Sequence, residues 1–223
     1  MRKALFVPAI LAMLAAGGER VAAQVVIGEA AQAAPNVTGT LGARRAVISS
    51  GDSVHQNELV QTTAAGGAML SFEDSTRLSV GPSSSVRLDK FVYNPDATAR
   101  QAVVNMTRGV FRFATGVSNP RAFTLQTPQA VIGIRGTIVE FEVSSSVSRI
   151  TLQRGAITVC ARVGRRTCLD AGAPGQVIVV TSLGEITLAG GFNGRDLTGG
   201  GDTGGIGDGG GRGGGDSGGR NNR

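Results

Sequence analysis

Thr127-Pro128-Gln129-Ala130-Val131-Ile132-Gly133-Ile134-Arg135-Gly136-Thr137 runs directly into Ile138-Val139-Glu140-Phe141-Glu142-Val143. The second half alternates. Val139, Phe141 and Val143 share one face of a strand and Glu140 and Glu142 the other, because strand side chains repeat every two residues. Pro128 fixes its own φ and has no N–H to give to a ladder, while Gly133 and Gly136 allow backbone angles closed to other residues. Arg135, between the two glycines at the mouth of an apolar strand, has two readings. One is a fixed ion pair or a clamp on a carbonyl; the other is direct contact with a ligand.

The same alternation recurs on both sides. Ala68, Leu70 and Phe72 fall on one face, as do Leu78 and Val80, Val86 and Leu88, Phe111 and Phe113, and Phe123 and Leu125. Downstream the pairs are Ile150 and Leu152, Ile157 and Val159, Val177 and Val179, and Ile186 and Leu188. Glycines punctuate these runs at Gly51, Gly81, Gly109, Gly155, Gly175 and Gly184. Strands at intervals of about 8–12 residues, with no sustained helical period, predict an all-β domain. The expectation is a single domain of short strands over residues 37–189. It is built either as a two-sheet sandwich or as an irregular β-roll with solenoid-like windings; the glycine intervals are too uneven for identical rungs. Asn94-Pro95-Asp96-Ala97-Thr98 reads as a polar connecting loop.

The TP-Q-A-VIGIRGT block followed by an alternating strand resembles the core signature of the FecR domain family. The resemblance extends upstream through Gly51-Asp52 and Leu78-Ser79-Val80-Gly81-Pro82, and downstream through Gly155-Ala156-Ile157 and Gly175-Gln176, about residues 38 to 188 in all. It implies an all-β module working outside the cytoplasmic membrane. Better-known members look like transmembrane anti-sigma regulators, with a cytoplasmic sigma-binding segment, one membrane helix and an outer domain informed by a receptor. This sequence resembles the outer domain alone, so the expectation is an extracytoplasmic sensing or binding module.

The ends support export. Arg2 and Lys3 precede an apolar run from Ala4 to Ala16, and small residues follow at Val21-Ala22-Ala23, the layout of a secretory signal over residues 1–23 cut after Ala23. Thirteen residues rise only about 20 Å as a helix, short for a bilayer span, and no integral span is expected once the signal is removed. Residues 24–36, alanine-rich and stopped by Pro35-Asn36, read as a linker with a turn or two of helix. From Gly190 to Arg223 half the residues are glycine (17 of 34), which predicts a disordered tail, since nothing there buries apolar area. Cys160 and Cys168 lie symmetrically about Gly164. A hairpin turning there brings them face to face, and a disulfide would contribute about 2.5 kcal/mol by the chain-entropy argument.

Composition removes several function classes. One His makes a His-based metal or proton-transfer site improbable. That residue, His55, lies in a polar turn, and no Gly-x-Ser-x-Gly elbow accompanies it. Glu140 and Glu142 are the wet face of a strand more simply than an acid–base pair. No phosphate loop or metal-ligand cluster is present, so neither enzyme activity nor a cofactor is expected. The Asp and Gly of the tail lack calcium-repeat spacing. Its arginines lack the aromatic partners that nucleic-acid binding uses.

The charge is +6, from 20 Arg and 2 Lys against 16 acidic residues. It falls to +4 without Arg2, Lys3, Arg20 and Glu19. The expected partner is an envelope protein, met by an exposed sheet edge or by the block carrying Thr127, Gly133, Arg135, Gly136 and Thr137. The alternative is an anionic envelope polymer held by the basic surface.

Overall fold

The computed structural model describes residues 24–190; residues 1–23, where a secretory signal is expected, and residues 191–223, where a disordered tail is expected, lie outside the described residues. Fifteen strands form one continuous, unclosed sheet. In chain order they are β1 (Val26–Ala33), β2 (Val37–Leu41), β3 (Arg44–Val47), β4 (Ser53–His55), β5 (Glu58–Thr62), β6 (Ala68–Phe72), β7 (Arg77–Val80) and β8 (Ser85–Tyr93). Then come β9 (Ala99–Ala114), β10 (Phe123–Gln126), β11 (Ala130–Val143), β12 (Val147–Ala161), β13 (Cys168–Ala171), β14 (Val177–Thr181) and β15 (Ile186–Ala189).

Three strands are far longer than the periodicity predicts, and they organise the rest. The first half of β9 pairs with β8 and, in parallel, with β10; its second half pairs with β7 and β11. β11 runs beside β10 and then β9, with β12 along its other side throughout. β12 takes β14 on its first half and β13 on its second. The sheet is thereby folded into two facing leaves. The first is β3-β2-β5-β8-β9-β10-β11-β12-β13 and the second β4-β1-β6-β7-β9-β11-β12-β14-β15, with β9, β11 and β12 crossing between them. This is closer to the sandwich than to the solenoid-like roll, but the two layers are a single sheet.

Glycines make the crossings. Gly109, Gly136 and Gly155 have φ of 109°, 62° and 88° and bend β9, β11 and β12; the sequence places turns at Gly109 and Gly155. Gly136 and Thr137 together oppose Gly155, because Arg135 faces Ala156 and Ile138 faces Arg154. That two-against-one register is a bulge, which bends a strand and sharpens its twist. A Cβ on Gly155 would collide with the carbonyl oxygen of Gly136, so the corner excludes any side chain there.

Apolar side chains of both leaves fill the space between them in one cluster. Phe72 meets Phe91 with ring centroids 4.8 Å apart, and Phe113 meets Phe123 edge-on at 5.4 Å, each pair joining the two leaves. The Tyr93 hydroxyl donates across the gap to the Ile27 carbonyl at 3.2 Å.

Two expectations need correction. Residues 24–36 are no linker or helix: β1 lies between β4 and β6 and buries Ile27 and Ala30. Register shifts on both sides of this strand put its buried residues three apart, which hides the two-residue period. In β14 the inward residues are Ile178 and Val180, and Val177 and Val179 face outward. All four positions are apolar, so periodicity alone selects no face. Register does so by setting Ile178 opposite Ile150.

Candidate binding surface

The Thr127–Thr137 block is fixed from behind by buried hydrogen bonds. Thr127 closes a turn with Ala130: its N–H donates to the Ala130 carbonyl (2.9 Å) and its Oγ1 accepts the Ala130 N–H (3.0 Å). Gln129, also buried, donates through Nε2 to the Ser144 and Ser145 carbonyls at 3.2 and 2.9 Å. Its Oε1 accepts the Ser148 hydroxyl at 2.6 Å, and that hydroxyl lies 2.9 Å from Thr127 Oγ1. These bonds pin the β11–β12 turn beneath the block. A carbonyl clamp is present as well, but Arg162 makes it, donating through Nη1 to the Thr127 carbonyl at 3.0 Å. At the far end the Thr137 N–H donates to Thr115 Oγ1 (2.9 Å). The Thr137 carbonyl accepts the Thr115 hydroxyl (3.0 Å). The Thr137 hydroxyl itself is buried and has no partner among the described residues.

The front of the block is open. Ile132 and Ile134 point into the core, so Gly133 and Arg135 point out, and Gly136 is exposed beside them. Arg135 Nη2 donates to Thr158 Oγ1 at 3.0 Å and lies 3.6 Å from Asp170 Oδ1. The Thr158 hydroxyl donates to the same carboxylate at 2.5 Å. The Arg135 and Asp170 side chains are 62 % and 76 % exposed, and such a pair contributes about 0–1 kcal/mol. The ion pair expected for Arg135 therefore exists, but the fold does not depend on it. Of the five residues singled out in the block, Thr127 and Thr137 are buried framework. Gly133, Arg135 and Gly136 share one surface.

Gly133 is the unusual member of that surface. Its φ lies outside the left-handed region, and a Cβ built on it meets nothing within 4 Å. No turn, close packing or strain requires glycine there, although glycine weakens a strand interior. What it provides is a bare stretch of backbone between Thr124 and Thr158 on the outer face. A glycine of this kind marks close approach by another backbone or a ligand.

The neighbouring hairpin completes the surface. Cys160 stands opposite Cys168 and is bonded to it, and Gly164 between them has φ of 70°. A cavity of about 500 Å³ beside the disulfide is lined by Val131, Cys160, Ala161, Arg162, Arg166 and Cys168. Among the described residues β13 is hydrogen-bonded to β12 alone, and its other edge, next to Asp170, pairs with no described strand. Sequence reading missed Gln129, Ser148 and Arg162. The turn chemistry of Thr127-Pro128-Gln129 was the available signal, since a polar turn carried into a core must bond to something.

Elsewhere the outward carboxylates of β11 pair with neighbouring side chains. Glu140 lies 3.8 Å from Arg112 and accepts from Gln153 (3.0 Å), and Glu142 lies 3.6 Å from Arg149. His55 is half-buried rather than a free surface residue, its N–H donating to Glu58 Oε2 at 2.8 Å. Among the described residues no group of three or more His, Cys, Asp or Glu is placed to hold a metal. No helix among them is long and apolar enough to cross a membrane.

No curated protein matches the chain. Two crystal structures of a candidate anti-sigma factor from Parabacteroides distasonis ATCC 8503 are similar, with TM-scores of 0.48 and 0.46 and 16 % identity in each case. The similarity covers 59 % of this chain and 58 % of that one, so the chain spans less than two thirds of the structures it resembles. Residues 58–158, from β5 into β12 and including the whole Thr127–Thr137 block, match the family model described as FecR protein.

Proposed function

We propose that this chain is an exported, non-enzymatic FecR-type module that binds an envelope protein partner in sensing or signalling. The docking surface is the outer face of β11 and β12 around Gly133, Arg135 and Gly136, continued by the unpaired edge of β13. Three facts support this reading. The FecR match favours a regulatory role over catalysis. The Cys160–Cys168 bond belongs to an oxidising compartment. Gly133, the observation that carries the proposal, leaves backbone bare where folding gives no reason for it. Main-chain bonding to an extended partner segment would supply affinity, and Arg135 with Asp170 would supply register.

In-cell photo-crosslinking tests the proposal. A crosslinker at Thr124 or Thr158 should capture one defined envelope protein, and a crosslinker at Met69, outward on the second leaf, should not. Capture of the same protein from both faces, or of none from either, rejects the assignment.

A further inference from the structure

We propose that a second site, a cleft on the outer face of the first leaf, binds an acidic glycan. The cleft has a volume of about 450 Å³, with Arg45 of β3 and Arg108 of β9 in its wall and Asn36, Thr38, Gln61 and Ser83 between them. None of the residues lining it is acidic. Both arginines are exposed, and neither joins an ion pair among the described residues. The one side-chain hydrogen bond of Arg45 is a long contact with the Thr38 hydroxyl, at 3.4 Å. On the second leaf, outward Arg112 and Arg149 are matched by Glu140 and Glu142.

Register gives the cleft its length. Val47 of β3 faces Thr38, Thr38 faces Gln61, Gln61 faces Ser85, and Ser85 faces Arg108. Those are four strand steps of about 4.8 Å, about 19 Å from Val47 to Arg108, and Arg45 lies two residues along β3 from Val47. A chain with repeated anionic groups can meet both arginines along that span. Guanidinium forks pair with either anion, and the hydroxyls and amides between them donate to and accept from sugar hydroxyls. No aromatic ring lines the cleft, so recognition falls to charge and hydrogen bonds rather than stacking on a neutral sugar. The ligand is thus an extended, hydroxyl-rich polymer bearing carboxylates or phosphates. The site is separate from the Gly133 surface and does not depend on the protein-partner reading.

Affinity electrophoresis of the full chain tests this with three gels, containing polygalacturonate, a phosphodiester-linked glycan polymer and dextran. The expected result is retardation by at least one anionic polymer and none by dextran, with affinity falling as salt shortens the screening length. The double variant Arg45→Gln/Arg108→Gln should weaken binding by about tenfold or more, the size of one lost charge-assisted contact. Arg112→Gln/Arg149→Gln should bind as the parent does. Unchanged melting of both variants shows that the fold is kept, as expected for exposed side chains. The preferred gel identifies the anion. Equal retardation by dextran, undiminished binding by the first variant, or no retardation by either anionic polymer overturns the proposal.

Discussion

Replacing Gly133 by Val separates a structural glycine from a docking glycine. Glycine in a strand interior is destabilising by about 0.5–1 kcal/mol relative to alanine, and a β-branched residue suits a pleated face better still. The new side chain enters open space, flanked across the strands by Thr124 and Thr158. No left-handed φ opposes it, so the variant should be more stable by about 1 kcal/mol. For a domain of this size that raises the melting temperature by about 2–4 °C. The same side chain stands on the backbone that the partner needs to approach, so capture of the crosslinked partner should be lost. The assay pairs a thermal melt with in-cell crosslinking from Thr158. A lower melting temperature means that Gly133 serves the fold. A higher one with crosslinking intact means that this face is not where the partner docks. Either result refutes the reasoning, and only a more stable protein without its partner upholds it.

Thr137→Val removes a buried hydroxyl that has no hydrogen-bond partner among the described residues and keeps the side-chain shape. It should raise stability by about 1 kcal/mol, measured by chemical denaturation. Reducing the Cys160–Cys168 bond, or changing both residues to serine, should lower stability by about 2.5 kcal/mol with the β-sheet circular dichroism intact at low temperature. Tyr93 is the chain's one tyrosine, and the sequence has no tryptophan, so phenolate absorbance at the red edge of the spectrum reports on it alone. Its hydroxyl is held above the ordinary value of 10.0 by burial first, then by the charges of Asp74 and Glu73. The folded protein should therefore show little phenolate at pH 10, where an unfolded tyrosine is half ionised. The stability held by this raised pKa is present in full below pH 10 and is lost as the pH rises beyond it. Half-ionisation of the folded chain near pH 10 would contradict the described contact.

The all-β class and most of the core were legible because strand burial follows a two-residue period. Phe111, Phe113, Phe123, Leu125, Val139 and Phe141 all lie inward as their spacing predicts. The period failed where register slips or where every position is apolar, which is why β1 and the inward face of β14 escaped it. It also could not show that Gly109 and Gly155 bend strands that then continue, since glycine permits a turn and a bulge equally. At the site, the block itself stood out, but its division into a buried back and an exposed front did not. Thr127 and Thr137 look like surface polar residues in the sequence. Only the folded chain shows Ser148 meeting Thr127 and Thr115 meeting Thr137.

The ribbon-like continuity of β9, β11 and β12 has a mechanical consequence. A load applied to the outside of one leaf is carried through covalent bonds into the other, and no boundary exists along which the domain peels into halves. Opening it therefore means disrupting all three crossings together, so amide protons near Gly109, Gly136 and Gly155 should be released only when the whole domain unfolds. Both proposed attachments lie on the first leaf, and the three crossings would pass a pull on either of them into the second.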